Sequence, residues 1–178
     1  MASFTNPDNN IAQLKLRGDE RVAVFGSGAG GHTFAAMRVL RGGGKVIAID
    51  VRQDMLDRLR RDSEHLRLGT VTTKCVDYQR VGGTGMQDGS LDAVVIPNTL
   101  FAVDHKVDML KEAYRLVRPK GLVLIVDWKD SYGGMGPQEE HVVTLEQALA
   151  YSKEAGLDVD HQFSAGAQHY GIVCRKIH

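Results

Sequence analysis

The stretch RVAVFGSGAGGHT, residues 21–33, constrains this chain more than any other segment. Arg21–Phe25 is a short apolar run that reads as a buried strand. Four glycines follow within six positions, Gly26 to Gly31. Without Cβ atoms they let the chain turn tightly from strand to helix, and they let a ligand come close to the main chain. Residues 32–41 then read as a helix, stopped by the glycines at 42–44. The first N–H groups of such a helix have no partner inside it and are available to a ligand.

The rest of the chain repeats the alternation. Residues 45–51 (KVIAIDV) form a second strand, and Met55, Leu56 and Leu59 mark one face of a helix whose charged side is solvated. A third strand is expected at 71–76, a fourth at 91–96 and a fifth at 122–128. Val107, Leu110, Tyr114 and Val117 recur at helical steps, and Pro119-Lys120-Gly121 reads as a turn. Thr144 with Gln147 is a capping box that opens a helix ended by Gly156. Residues 157–163 and 169–175 are two last strands, joined by a turn around Ala165-Gly166. Their link is too short for a crossover, so they pair antiparallel. Alternation of this kind predicts a mostly parallel sheet covered on both faces. The glycine-rich piece at 131–137 is expected to be a mobile loop beside the pocket.

Composition narrows the partners. Lysine plus arginine and aspartate plus glutamate both number 22, so the basic excess that grips nucleic acid is missing. No apolar run is long enough to span a membrane, and the N-terminus has no secretory pattern. A single domain over residues 1–178, with a short N-terminal segment at 1–20, and a cytoplasmic location are the simplest expectations. Cys75 and Cys174 lie in strand patterns and read as buried small hydrophobes.

An acid closes the second strand. Asp50 stands about 20 residues past the glycines, where a carboxylate accepts hydrogen bonds from ribose hydroxyls. Asp77 follows the third strand and is placed to meet an adenine amino group. The glycines alone fit two patterns: Gly26, Gly28 and Gly30 give G-x-G-x-G, and Gly26, Gly28 and Gly31 give the dinucleotide motif G-x-G-x-x-G.

With the segments VAVFGSGAGGHT, VIAIDV, GGTGMQDGSLDAVVIPNTLFAV, LKEAYRLVRPKGLVLIVDW and AGAQHYGIVCRK, the chain resembles the class I S-adenosylmethionine (SAM)-dependent methyltransferases, in particular small bacterial methyltransferase-domain proteins. The resemblance implies a Rossmann-like α/β fold with a seven-stranded sheet of order 3-2-1-4-5-7-6, strand 7 antiparallel. It implies SAM as cofactor and S-adenosylhomocysteine (SAH) as product. Carried over by position, Gly26, Ser27, Gly28 and Gly30 match the glycine loop, Asp50 and Val51 the ribose side, Asp77 and Tyr78 the adenine side, and Asn98 the border of the methyl group. Many members carry an acid two residues before the first loop glycine; Val24 stands there in this chain.

Methyl transfer is an in-line displacement that needs alignment more than a catalytic dyad. Asp127, His141, His169 and Tyr170 are the candidate catalytic residues, and no metal site is expected. Trp128 is a candidate wall of the acceptor site, and His32 either contacts the ligand carboxylate or caps backbone. The expected function is methyl transfer to a small-molecule acceptor. A non-catalytic SAM- or SAH-binding module and an NAD-dependent oxidoreductase are the alternatives.

Overall fold

The computed structural model describes residues 5–41, 43–69 and 71–178. Gly42, expected in the stop of the loop helix, and the first four residues of the N-terminal segment lie outside them. Seven strands form one sheet of order β3-β2-β1-β4-β5-β7-β6. They are β1 (Arg21–Phe25), β2 (Lys45–Asp50), β3 (Thr72–Cys75), β4 (Leu91–Pro97), β5 (Val117–Trp128), β6 (Asp158–Gly166) and β7 (His169–Arg175). Strands β1 to β5 pair in parallel, and β7 runs antiparallel to both β5 and β6.

The period of two along each strand divides the core into two layers. Ala23, Phe25, Ile47, Ile49, Val94, Ile96, Val123 and Ile125 point to one face. There they meet α4 (Lys106–Leu116) and α5 (Leu145–Glu154) through Met109, Leu110, Ala113 and Ala148. Val22, Val24, Val46, Ala48, Val95 and Val126 point to the other. That face is covered by α1 (Pro7–Ala12), α2 (Gly31–Val39) and α3 (Gln53–His65) through Ile11, Ala36, Leu56 and Leu59. Strands buried on both sides carry continuous apolar runs, which is why β1, β2, β4 and β5 are so plain in the sequence.

Local signals set most boundaries. The capping box at α5 is formed in both directions: Gln147 N–H donates to Thr144 Oγ1 at 3.2 Å, and Thr144 N–H donates to Gln147 Oε1 at 2.9 Å. Three expectations shift. Pro119-Lys120-Gly121 is not a turn before β5 but an irregularity within it, where the register to β4 slips between Leu91 and Ala93. Backbone bonds of Lys120 and Gly121 to Lys176 hold it in the sheet. The hairpin turns at Ala167-Gln168 rather than Ala165-Gly166, because β6 continues to Gly166 opposite His169. The N-terminal segment, read without a helix, contains α1. Its Asn6 cap accepts the Asn9 N–H at 3.1 Å, and Pro7 opens the helix.

One buried ion pair fastens the segment between β3 and β4. Glu112 of α4 is fully buried. Its carboxylate accepts the N–H groups of Gly82 and Thr84 and the Thr84 hydroxyl, and pairs with Arg115 at 2.7 Å. Arg115 also binds Asp88 and the Met86 carbonyl. Truncating Glu112 removes the buried partner of Arg115 and leaves two amides without their acceptor. Glu112→Ala is expected to cost about 3–5 kcal/mol in a denaturant titration, and a cost below about 1 kcal/mol would make the network incidental.

Candidate functional site

The site forms where β1, β2 and β4 end. The Ile49 carbonyl accepts the Gly26 N–H at 2.9 Å and the Ser27 N–H at 3.3 Å, so the end of β2 pulls the chain out of β1 into the loop. Asp50 finishes the job. Its Oδ2 accepts the Gly28 N–H at 3.1 Å and its Oδ1 the Arg52 N–H at 3.0 Å. Each oxygen keeps a further lone pair.

The three motif glycines have different reasons to be glycine. All have positive φ: 67° at Gly26, 47° at Gly28 and 86° at Gly30. A Cβ on Gly26 would stand 2.5 Å from Thr99 Oγ1, and one on Gly30 2.7 Å from the Phe34 ring. Those two are demanded by the protein's own packing. Gly28 meets nothing closer than 3.8 Å, so only its backbone conformation and whatever occupies the open side exclude a side chain.

That open side is a cavity of about 290 Å³ lined by Thr5, Pro7, the loop from Gly26 to Gly31, His32, Pro97 and Asn98. Two polar atoms there are buried without a hydrogen-bond partner among the described residues: Ser27 Oγ and Asn98 Oδ1. Asn98 is held at φ 51°, its N–H donating to the Val126 carbonyl at 2.7 Å, so it turns out of β4 rather than continuing it. Buried polar groups without partners are rare in folded proteins and point to something the site receives. Thr5 and Pro7 of the N-terminal segment were missed in the sequence, although Asn6-Pro7 is a recognisable helix start.

On the far side of Asp50 the groups are more open. Val51 is half exposed, and Cys75, opposite Asp50 in the β2–β3 register, is exposed rather than buried as expected, its thiol donating to the Val51 carbonyl at 3.4 Å. It sits at the last position of the edge strand β3, which has a neighbouring strand on one side only. Asp77 is exposed, with Oδ1 accepting the Gln79 N–H at 2.9 Å. Tyr78 turns inward, its ring 5.3 Å from that of Phe25 and its hydroxyl close to Gly26. Burial, with the charges of Asp50 and Asp77 nearby, pushes its phenol up to about 12.

The ends of β5 and β7 carry the other candidates. Asp127 pairs with Tyr170 and Trp128 with His169 across the antiparallel ladder. Asp127 and Tyr170 face the α4–α5 side, where the Tyr170 hydroxyl donates to the Val143 carbonyl at 2.9 Å. Trp128 and His169 stack on the opposite side with ring centroids 4.2 Å apart. The 131–137 loop is seated on Trp128: a Cβ at Gly136 would lie 2.6 Å from the indole. His141 lies exposed in a short 3-10 turn, Glu139–His141. Cys174 is buried. Among the described residues no cluster of histidine, cysteine and acids fits a metal ion.

A seven-stranded sheet of this order, with a glycine turn after β1 and an acid ending β2, defines the class I fold of SAM-dependent methyltransferases. The sequence comparison agrees: residues 24–125 match the family described as "Methyltransferase domain". The chain belongs to that family. No curated protein matches the sequence. Among solved structures, a SAM-dependent methyltransferase from Aquifex aeolicus is similar at TM-score 0.87 and 22% identity, over 98% of this chain and 91% of that one. The YcgJ protein of Bacillus subtilis is similar at TM-score 0.75 and 12% identity, over 97% and 98%. The [4+2]-cyclase SpnF is similar at TM-score 0.80 and 15% identity, over 96% and 80%. At these identities the likeness is one of fold, and the cyclase is a reminder that a fold hosts more than one chemistry.

Asp127 offers a direct test of the electrostatics. It is 1% exposed; Oδ1 accepts the Trp128 N–H at 2.8 Å, and Oδ2 is buried without a hydrogen-bond partner among the described residues. Burial pushes its carboxyl up to about 7, against the pull of the backbone amides of Trp128, Phe101, Leu100 and Thr99. The unfolded chain releases this proton near pH 4, the native state only near 7, so this group makes stability fall as pH rises between those values. Asp127→Asn has no such proton. Its thermal midpoint, relative to the parent, should climb between pH 4 and pH 7 by the equivalent of about 2–4 kcal/mol and then level off. A difference that stays constant with pH would mean that Asp127 is charged in the native protein throughout.

Proposed function

We propose that this protein binds SAM across the carboxyl ends of β1, β2 and β4 and transfers its methyl group to a small-molecule acceptor. The observation that carries the reading is the cavity at the glycine loop. It is open at Gly28, whose N–H the Asp50 carboxylate holds from behind the loop, and is lined by Ser27 Oγ and Asn98 Oδ1, unpartnered among the described residues. These groups suit the ligand. Asp50 keeps lone pairs for the ribose hydroxyls, with Val51 beside it as an apolar surface for the nucleoside. Asp77 stands toward the adenine, with Tyr78 behind the loop. Gly28 leaves the main chain open to the amino-acid part, in a turn that Gly26 and Gly30 shape, and Asn98 Oδ1 is an acceptor for its ammonium. Val24 is sealed in the core between strands and helices, so the amino-acid end falls to Asn98, Ser27 and the start of α2 rather than to an acid at that position.

SAM supplies an electrophilic methyl group on its sulfonium. The chain's part is to bind, orient and exclude water. Trp128, Tyr132 and the 131–137 loop form an aromatic wall at the end of β5, which favours an acceptor with apolar or aromatic surface. Asp127 lies behind that wall, at the 3-10 turn Leu100–Ala102 that follows Asn98. We assign it the positioning of this turn. His141 is a residue of the outer surface, and Tyr170 and His169 support the ends of the strands. Among the described residues no helix is long and apolar enough to cross a membrane; the balanced charge favours a small-molecule acceptor over nucleic acid, and a cytoplasmic location is part of the reading.

Calorimetric titration with SAM, SAH and NAD in parallel tests the ligand class. Binding of SAM and SAH but not NAD is expected, and NAD binding alone would overturn the assignment. Asp50→Ala is expected to weaken SAM by about 1.5–3 kcal/mol, the range for hydrogen bonds to a charged group. Affinity unchanged in that variant would place the ribose elsewhere. If SAM binds and no acceptor class is ever methylated, the chain is a binding module.

A further inference from the structure

A chain of hydrogen bonds runs from the last strands to the start of α2, and its direction can be worked out. The Thr5 hydroxyl donates to the Ala165 carbonyl at 2.8 Å. Having one proton, that hydroxyl must then accept from Asn10, whose Nδ2 lies 2.7 Å away. The same Nδ2 lies 3.1 Å from His32 Nε2. The amide nitrogen has two protons and no lone pair to offer, so Nε2 of His32 is the acceptor. The proton of the neutral ring therefore sits on Nδ1. Among the described residues nothing accepts from that N–H, and His32 lines the cavity at the glycine loop.

The surroundings favour an anion at that point. His32 is in the first turn of α2, a nine-residue helix whose leading amides have no partners within it. Ser27 Oγ, buried without a partner among the described residues, lines the same cavity. The ring itself stays neutral: burial and the nearby His169 lower it to about 4, and Asp8, which pulls the other way, is paired with Arg38 at 2.6 Å. The site thus presents donors without a full positive charge.

We propose that His32, locked by Asn10 as the Nδ1–H tautomer, donates a hydrogen bond to the carboxylate at the amino-acid end of bound SAM. The proposal rests on the reading of the cavity as a SAM site and adds a residue that selects for one group of the ligand. It gives α1 a role in that site: through Asn10 and Thr5, the N-terminal segment sets which ring nitrogen carries the proton. His32 is then the binding residue and Asn10 a positioning residue.

The test compares SAM with decarboxylated SAM, which keeps the sulfonium, nucleoside and ammonium and lacks only the carboxylate. Calorimetry on the parent protein should show SAM binding tighter. His32→Leu should lose about tenfold or more in SAM affinity, the scale for one hydrogen bond to a charged group, with decarboxylated SAM unchanged. His32→Asn, whose amide can reach the same point, should recover part of the loss. Asn10→Asp removes the donor facing Nε2 and invites a proton there instead, so it should lower the preference for SAM while the chain stays folded by circular dichroism. Parallel losses for both ligands, or no change in their ratio in any variant, would overturn the role of His32 and leave the SAM site standing. Failure of the parent to bind either ligand would bring down the SAM reading itself, and this inference with it.

Discussion

The parallel pairing of β1 with β2 is the constraint on which the site depends. Register sets Phe25 beside Ile49, so the two strands end together at the carboxyl edge. One strand's last carbonyl and the next residue's carboxylate then hold the first turn of the loop through the N–H groups of Gly26, Ser27 and Gly28. Asp50 has a structural task before it has any ligand: it orders the loop. The amides that would otherwise need water are satisfied by a group that still has acceptor capacity to share. Site and scaffold are therefore built from the same few bonds.

A second consequence of the sheet is the sorting of chemistry by face. Along the ends of β5 and β7, alternation sends Asp127 and Tyr170 toward α4 and α5, and Trp128 and His169 toward α1 and α2. Four residues that are adjacent in pairs thus enter two different environments. The acid is desolvated near the turn that follows Asn98, and the indole and imidazole stack beneath the loop at 131–137. Neighbouring sequence positions say little about common purpose in a strand, because the period of two separates them by the thickness of the sheet.

The N-terminal segment completes the site by an independent route. Pro7 packs on Gly31, where an added Cβ would come within 3.3 Å of its ring. Asp8 holds Arg38, and Asn10 holds His32. A six-residue helix has almost no stability of its own. It persists because its polar groups are spent on α2 and on the end of β6, and Ile11 is wholly buried between strands and helices. Thr5 and Pro7 line the cavity at the glycine loop as a result.

Much of this was legible in the residues. Continuous apolar runs bounded by glycines and charges marked β1, β2, β4 and the end of β5, because strands buried on both faces have no other way to be written. The capping box at Thr144 and the short link before His169 located α5 and the closing hairpin. Glycine spacing and the acid at Asp50 located the turn after β1 and the carboxylate that anchors it. Other features depended on contacts between distant segments. Whether Gly26 or Gly28 faces open space is decided by Thr99, more than seventy residues away. Cys75 sits in a strand pattern, and its exposure goes with a place at the end of the edge strand, which the sheet order decides. The tautomer of His32 follows from Thr5, Asn10 and Ala165, three residues that no local pattern connects. Periodicity fixes which way a side chain points along its own element; what it meets there depends on the packing of elements against each other, and that is a property of the folded chain alone.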